Sequence, residues 1–302
     1  MSLRRVQRAS VWSVLLVLGV VLGGCATSSK PVVADDAFGV LVMAHGGSQQ
    51  WNDRVLATVA PLRERYKIDV AFGMADAASL QNSVSRLEAQ GVRRIAVVRL
   101  FVSGESWYER TQQILGLTPG APERPQSAGD DHAEHAGHSM QFWRITTHST
   151  FVLSREGLAD APEIDAILVE RTQQLSRDPA SEDVLILAHG PGSDEENARW
   201  IRKISTRATA VSAARPFRRL GVYTLREDWP EKREVAEREV REFVQRAVTE
   251  HGRAIVVPFR LEGFGPYASV LDGLDYASDG VGLLPHPNVT QWIERQIAEL
   301  RG

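Results

Sequence analysis

The sequence holds a single cysteine, Cys25, in 302 residues. A disulfide framework and a zinc site built on several thiolates are therefore excluded, since both need at least two. There is no surplus of positive charge, with 35 Lys and Arg against 38 Asp and Glu. Nucleic acid is not expected as a partner, because proteins that bind it present a basic patch. The chain contains no Gly-x-Ser-x-Gly elbow, no phosphate loop ending in Lys-Ser/Thr, no His-Glu-x-x-His and no dinucleotide fingerprint. Hydrolase, NTPase and metalloprotease readings lose their usual support. What remains is a globular composition, 43% hydrophobic and 24% charged. Its length suggests two domains at about 150 residues each, and one large α/β unit is also allowed. Any metal chemistry has to rest on His, Asp, Glu or Met.

Residues 1–24 read as a secretory signal rather than as part of the fold. Arg4, Arg5 and Arg8 form a basic head, and 11–22 is an apolar run too short to span a bilayer comfortably. It ends in Leu22-Gly23-Gly24-Cys25, which resembles a bacterial lipoprotein cleavage box with Cys25 as the acylated residue. On that reading the mature chain starts at Cys25, and 32 basic residues face 38 acidic ones. Ala26 follows the cysteine, which resembles the sorting choice for the outer membrane. The expected location is thus the periplasmic face of that membrane, through a lipid anchor, with residues 25–36 as a polar tether.

Beyond the tether the chain repeats itself. Phe38-Gly-Val-Leu-Val-Met-Ala-His45-Gly46 recurs as Asp183-Val-Leu-Ile-Leu-Ala-His189-Gly190. Runs apolar on both faces are expected of central parallel strands. Each is followed by turn formers and then by a helical stretch, 52–66 and 195–208. The runs 91–101 and 251–259 also correspond, each preceded by an amphipathic helix, 79–90 and 232–250. Each copy closes with a further helix, 162–175 and 287–300. Strands alternating with helices at this spacing predict an α/β protein of two tandem Rossmann-like half-domains with mostly parallel sheets and a cleft between them. The expected halves are 37–178 and 179–302. Between a helix at 108–115 and a strand expected at 142–147, the first copy alone carries an insertion, 118–141. It contains Asp130, Asp131, His132, Glu134, His135, His138 and Met140.

The strand-Ala-His-Gly heads, the helix ending Gln90-Gly91-Val92-Arg93-Arg94 and the strand ending at Leu100-Phe101 together resemble the class II chelatases. The resemblance is to the CbiX sirohydrochlorin cobaltochelatase type and covers the mature chain as two tandem copies. It implies two lobes facing across a cleft in which a divalent metal meets a tetrapyrrole, and hence metallochelatase activity. His45 and His189 are the candidate metal ligands and bases. In open parallel sheets the ligand crevice lies beyond the carboxyl ends of the strands. Neutral imidazole suits cobalt, nickel, iron, copper or zinc, and it can accept the protons that insertion displaces.

The sequence departs from the family where a second histidine is expected past the strand end. The segments read Leu100-Phe-Val-Ser-Gly-Glu105-Ser-Trp107-Tyr108 and Pro258-Phe-Arg-Leu-Glu262-Gly-Phe264-Gly-Pro-Tyr267. Glu105 and Glu262 are candidates for an oxygen ligand or proton acceptor in its place. Trp107, Tyr108, Phe264 and Tyr267 are candidates for lining a flat apolar pocket suited to a macrocycle. His132, His135, His138 and Met140 form a second set of metal donors, metal binding by composition. Two functions follow. One is a chelatase-like enzyme acting on a tetrapyrrole; the other is a non-catalytic lipoprotein that keeps the scaffold to hold metal, haem or a related macrocycle. Export favours the second, since sirohydrochlorin is made in the cytoplasm.

Overall fold

A computed structural model describes residues 37–125 and 140–302. Cys25, the expected signal and tether, and His132, His135 and His138 lie outside the described residues. Residues 35–302 form one compact unit, with three apolar clusters inside it. Among the described residues no helix is long and apolar enough to cross a membrane.

The first half runs β1 (Phe38–Ala44), α1 (Gln49–Val59), β2 (Lys67–Phe72), α2 (Ala77–Ala89), β3 (Arg94–Leu100), α3 (Tyr108–Ile114), β4 (Thr150–Leu153) and α4 (Glu163–Leu175). The second runs β5 (Glu182–Ala188), α5 (Asp194–Ala214), β6 (Arg219–Thr224), α6 (Pro230–Thr249), β7 (Arg253–Phe259), α7 (Tyr267–Val270) and α8 (Pro287–Arg301). All strand pairs are parallel, in the orders β2-β1-β3-β4 and β6-β5-β7. An isolated bridge from Ile255 to Ala277 takes the place of a fourth strand in the second sheet.

The two sheets correspond in register. Ala44 pairs with Phe72 and Leu100, and Ala188 pairs with Thr224 and Phe259. Every residue of β1 and β5 is buried, as runs apolar on both faces require. Because the chain leaves each central strand for one neighbour and then returns to the other side, β1 and β5 are the switch points of their sheets. Ligand crevices of open α/β sheets form at such points.

Two expectations change. Residues 142–147 are not a strand. That segment is held across the outside of the sheet, with Ile145 donating to the Ile114 carbonyl (2.9 Å) and Thr146 to Gln81 (2.8 Å). The edge of β3 is taken instead by β4. The last helix of each half also crosses over: α4 packs on α5 and β7, and α8 packs on α1 and β3. One apolar cluster accordingly runs through both halves, from Val40 and Val98 to Val184 and Val257, with Ile164 of α4 and Trp292 of α8 in it. At about 25 cal/mol per Å² of apolar area, this shared burial is what fixes one half against the other.

Candidate functional site

His45 and His189 sit one residue past β1 and β5, and the chain turns in the same way after each. Gly46 and Gly190 both adopt φ +80°. A Cβ at Gly190 would meet the Thr224 Cβ at 2.6 Å, and one at Gly46 would meet the Phe72 Cβ at 3.1 Å. Glycine meets both demands, free access to positive φ and room for the neighbouring strand. The following helices are capped alike, Ser48 accepting from the Trp51 amide and Ser193 from the Glu196 amide.

Each imidazole is turned by its own loop. Nδ1 of His45 lies 2.7 Å from the Gly46 carbonyl, and Nδ1 of His189 lies 2.7 Å from the Gly190 carbonyl. A carbonyl can only accept, so in each ring Nδ1 carries the hydrogen of that contact. Each ring also has a tryptophan beside it. Trp51 lies 6.1 Å from His45, and Trp229 stands edge-on 6.2 Å from His189.

The two sites then diverge. His189 Nε2 lies 3.1 Å from Oδ2 of Asp228, whose side chain is 70% exposed. A neutral ring would set a lone pair against a carboxylate oxygen, an arrangement of two acceptors, so a proton or a metal cation belongs between them. Asp228 follows Thr224 by four residues, as Asp76 follows Phe72. Asp76 is engaged elsewhere: it caps α2 through the Ser79 amide and also accepts from the Gln141 amide, both at 2.8 Å. Asp228 escaped the sequence reading. Its signal was this equal offset past the second strand of each repeat.

The loop after His189 is held from below. Arg226, nearly buried with φ +57°, donates to the carbonyls of Pro191 and Gly192 and to Asp194 (2.9 Å). Lys232 donates to the same Gly192 carbonyl (2.8 Å) and to Asp194 (2.6 Å). Those cations hold the Asp194 carboxyl below its usual range.

Glu105 and Glu262 occupy equivalent turns after β3 and β7, and both reach across to the other half. Glu105 takes a bidentate contact from Arg199 of α5, with bonds of 2.7–3.1 Å. Glu262 faces Arg54 of α1 at 3.4 Å. Arg54 and Arg199 each stand six residues past their caps, Ser48 and Ser193, so the crossed pairs use corresponding positions of the two helices. The Arg199 guanidinium holds the Glu105 carboxyl below its ordinary value, against the opposing effect of burial. A carboxylate so held is a poorer proton acceptor than the sequence reading assigned.

The turn that carries Glu105 is built on Arg99, which is 1% exposed. Its guanidinium donates to the carbonyls of Gly104 (2.9 Å), Ser154 (3.1 Å) and Ser106 and lies 4.8 Å from the Tyr108 ring. Burial pulls it down to about 10. Its sequence signal was an arginine set within the apolar run 95–100.

The four candidate aromatics fall in separate places. Trp107, at φ +59°, packs half-buried on the cluster beside the first sheet, and Arg99 and Arg155 lie over the Tyr108 ring at 4.8 and 5.8 Å. Phe264 stacks on Tyr276 and meets Tyr267 edge-on, beside the second sheet. Tyr267 is fully buried, which raises its phenol far above the usual range. Its hydroxyl lies beside the Arg260–Glu227 ion pair without a well-aligned hydrogen bond. Tyr267 is therefore a core residue and not a pocket wall, because the α7 turn folds it inward.

Met140 is 42% exposed. Arg110 binds its carbonyl (2.7 Å), that of Gln141 (3.1 Å) and that of Ala75 (3.0 Å). The downstream root of the insertion is thus pinned to the loop after β2, at the same end of the sheet as His45. Among the described residues no group of three or more His, Cys, Asp or Glu is gathered to hold a metal.

Comparison with known proteins gives this architecture its relatives. The SirB structure from Bacillus subtilis with Fe3+ superposes with a TM-score of 0.56 at 14% identity, over 87% of this chain and 95% of that one. DR2241 from Deinococcus radiodurans, described as a multi-domain protein with structural similarity to chelatases and two additional novel domains, gives 0.53 at 19% identity over 88% of this chain. This chain spans 56% of the length of DR2241. No curated protein matches the sequence. Residues 39–175 match the CbiX family model, and the chain as a whole has a chelatase-like fold.

Proposed function

We propose that this protein is an exported, lipid-anchored CbiX-like protein that binds a divalent transition metal at His189 and Asp228 and brings it to a tetrapyrrole held between its halves. The observation that carries the reading is the 3.1 Å approach of His189 Nε2 to Asp228 Oδ2. Metal bonds to imidazole and carboxylate are about 2.0–2.2 Å long. A 3.1 Å separation then subtends about 90–100° at a shared ion, which is the spacing of two adjacent ligands. Imidazole with carboxylate suits cobalt, nickel, iron or zinc, and SirB, which shares the fold, has been seen with Fe3+.

Insertion of a divalent ion into a free-base tetrapyrrole releases two protons. His45, whose Nδ1 is turned to the Gly46 carbonyl at the end of β1, is the group proposed to take one of them. His132, His135, His138 and Met140 are proposed to collect metal and pass it on, since the root of their insertion is fixed near the loop after β2. Deleting 126–139 is expected to lower the number of metal ions bound per chain. Unchanged stoichiometry in titration calorimetry refutes that role.

A second reading has an observation of its own. Glu105 and Glu262 are engaged in crossed ion pairs, so two family-like donor positions are withheld from the metal. That favours a protein that holds metal or macrocycle without inserting one into the other. The deciding experiment mixes the chain with Co2+ and sirohydrochlorin and follows the visible absorption change of metal insertion. Catalysed insertion lost in His45→Ala and His189→Ala supports the enzyme. Macrocycle binding with no insertion by the wild type supports the carrier. Acylation of Cys25 is tested separately by mass spectrometry of the chain recovered from membranes.

A further inference from the structure

Asp76 and Asp228 stand four residues past Phe72 and Thr224, which pair with the last residues of the two central strands, yet only Asp228 reaches a histidine. Asp76 is itself the N-cap of α2, which begins at Ala77. Asp228 is set one residue further from its helix, because Trp229 is the N-cap of α6. The left-handed non-glycine residue of each loop shifts as well: Ala75, φ +52°, stands directly before Asp76, whereas Arg226, φ +57°, stands two before Asp228. An aspartate at the cap position turns back onto its own helix. One displaced from it keeps its carboxylate for another partner.

The second loop is tied down by an ion pair where the first half has apolar side chains. Arg260 lies 3.0 Å from Glu227, whose side chain is 11% exposed. Arg260 follows Phe259 as Phe101 follows Leu100, and Glu227 stands three past Thr224 as Ala75 stands three past Phe72. Phe101 and Ala75 are both buried in the apolar cluster beside the first sheet. A charge pair drawn out of water is often no more stabilising than well-packed apolar side chains, and its best-attested use is to fix one arrangement among several. Both ends of this pair are anchored. The Arg260 carbonyl accepts from the Leu283 amide (2.8 Å), and its guanidinium lies 5.4 Å from the buried Tyr267 ring. The amides of Arg226 (2.7 Å) and Glu227 (3.4 Å) both donate to the His189 carbonyl. With the Glu227 carboxylate drawn inward, that of its neighbour Asp228 stands exposed beside His189 Nε2.

We infer that Arg260 and Glu227 are positioning residues for the metal ligand Asp228: their ion pair fixes residues 225–229 so that the Asp228 carboxylate faces His189 instead of capping α6. The inference rests on the reading that His189 and Asp228 hold the metal. Arg260 and Glu227 act through Asp228 and supply no ligand themselves. The difference between the halves then has one cause. With apolar residues at these two positions, the first half uses its aspartate as a helix cap; with an ion pair there, the second keeps its aspartate for a cation.

The test uses the full chain carrying His132→Ser, His135→Ser and His138→Ser, so that Co2+ reports on His189 and Asp228, with folding checked by circular dichroism. Arg260→Phe combined with Glu227→Ala installs the residue pair of the first half and leaves neither charge unpaired. It is expected to raise the Co2+ Kd about tenfold and to give the visible Co2+ spectrum of Asp228→Asn, not that of the parent. Added to Asp228→Asn, the exchange is expected to change neither readout, because its effect passes through that carboxylate. Removing the exposed Arg238–Glu234 pair of α6 is expected to leave both as they are. If the exchange unfolds the chain, Arg260→Met with Glu227→Gln, closer in volume, carries the same cycle. A Kd within about twofold of the parent in the folded exchange variant overturns the inference. So does an equal loss in the Asp228→Asn background, which marks a general effect on the fold. Failure of the site reading shows separately: Asp228→Asn alone then leaves Co2+ binding unaltered, and the positioning role falls with it.

Discussion

Replacing Asp228 with Asn keeps the shape of the side chain and removes its charge, which isolates the carboxylate from the imidazole it faces. A divalent ion about 2.1 Å from a carboxylate oxygen is held by about 4 kcal/mol of Coulomb energy at the dielectric of water. Asp228 is 70% exposed, so screening and the remaining amide dipole reduce the expected loss to about 1.5–3 kcal/mol. That is roughly a 10- to 100-fold rise in Kd. Calorimetry with Co2+ or Ni2+ near neutral pH measures it, in a background lacking 126–139 so that His132, His135 and His138 do not contribute. His189→Ala is expected to abolish binding in the same background. If Asp228→Asn stays within about twofold of the parent while His189→Ala loses the metal, Asp228 is no ligand and the adjacent-ligand geometry is wrong.

Three further outcomes are expected. Asp183 is fully buried between Arg218 and Arg219, with bonds of 2.6–3.0 Å, and Asp183→Asn breaks a buried pair at a cost of about 3–5 kcal/mol. Thermal unfolding falling by about 10 °C checks this, at about 2–4 °C per kcal/mol for a chain of this size. Arg99→Met strands the carbonyls of Gly104, Ser106 and Ser154 and relieves the burial of a charge, for a net loss of about 1–3 kcal/mol in urea unfolding. Glu105 titrates below its ordinary 4.5 in the folded state because of Arg199, so its contribution is present above that pH and is lost as pH falls through the lower folded value. Glu105→Gln is therefore expected to flatten the acid limb of stability below about 4.5, read by chemical denaturation at stepped pH.

Much of the fold is legible because the two similar apolar runs each mark a central strand. The runs ending in His45 and His189 are apolar on both faces, and only a central parallel strand uses such a run in a chain with this helix spacing. The error at 142–147 has a plain cause. Trp143 and Ile145 are buried, as strand residues would be, but they pack outside the sheet while the shorter β4 fills its edge. The edge strands β2 and β6 carry polar residues on one face, so they did not stand out.

The site is legible only in part. His45 and His189 stand out in the sequence because each follows its strand directly. Glu105 and Glu262 are found by position, but their engagement with Arg199 and Arg54 comes from the meeting of two halves more than 90 residues apart in the case of Glu105. Tyr267 looks like a pocket aromatic in the sequence and is drawn into the core by a single helical turn.

The sequence by itself determined the alternation of strands and helices, the repeat and the two histidines at its strand ends, because these follow from local periodicity and turn chemistry. Only the tertiary structure decided that the last helices cross between halves, that Asp228 meets His189 while its counterpart Asp76 caps a helix, and that the two glutamates are bound by arginines of the opposite half. Those outcomes depend on which surfaces are buried against each other, and contacts between residues far apart in the chain leave no periodic trace in it.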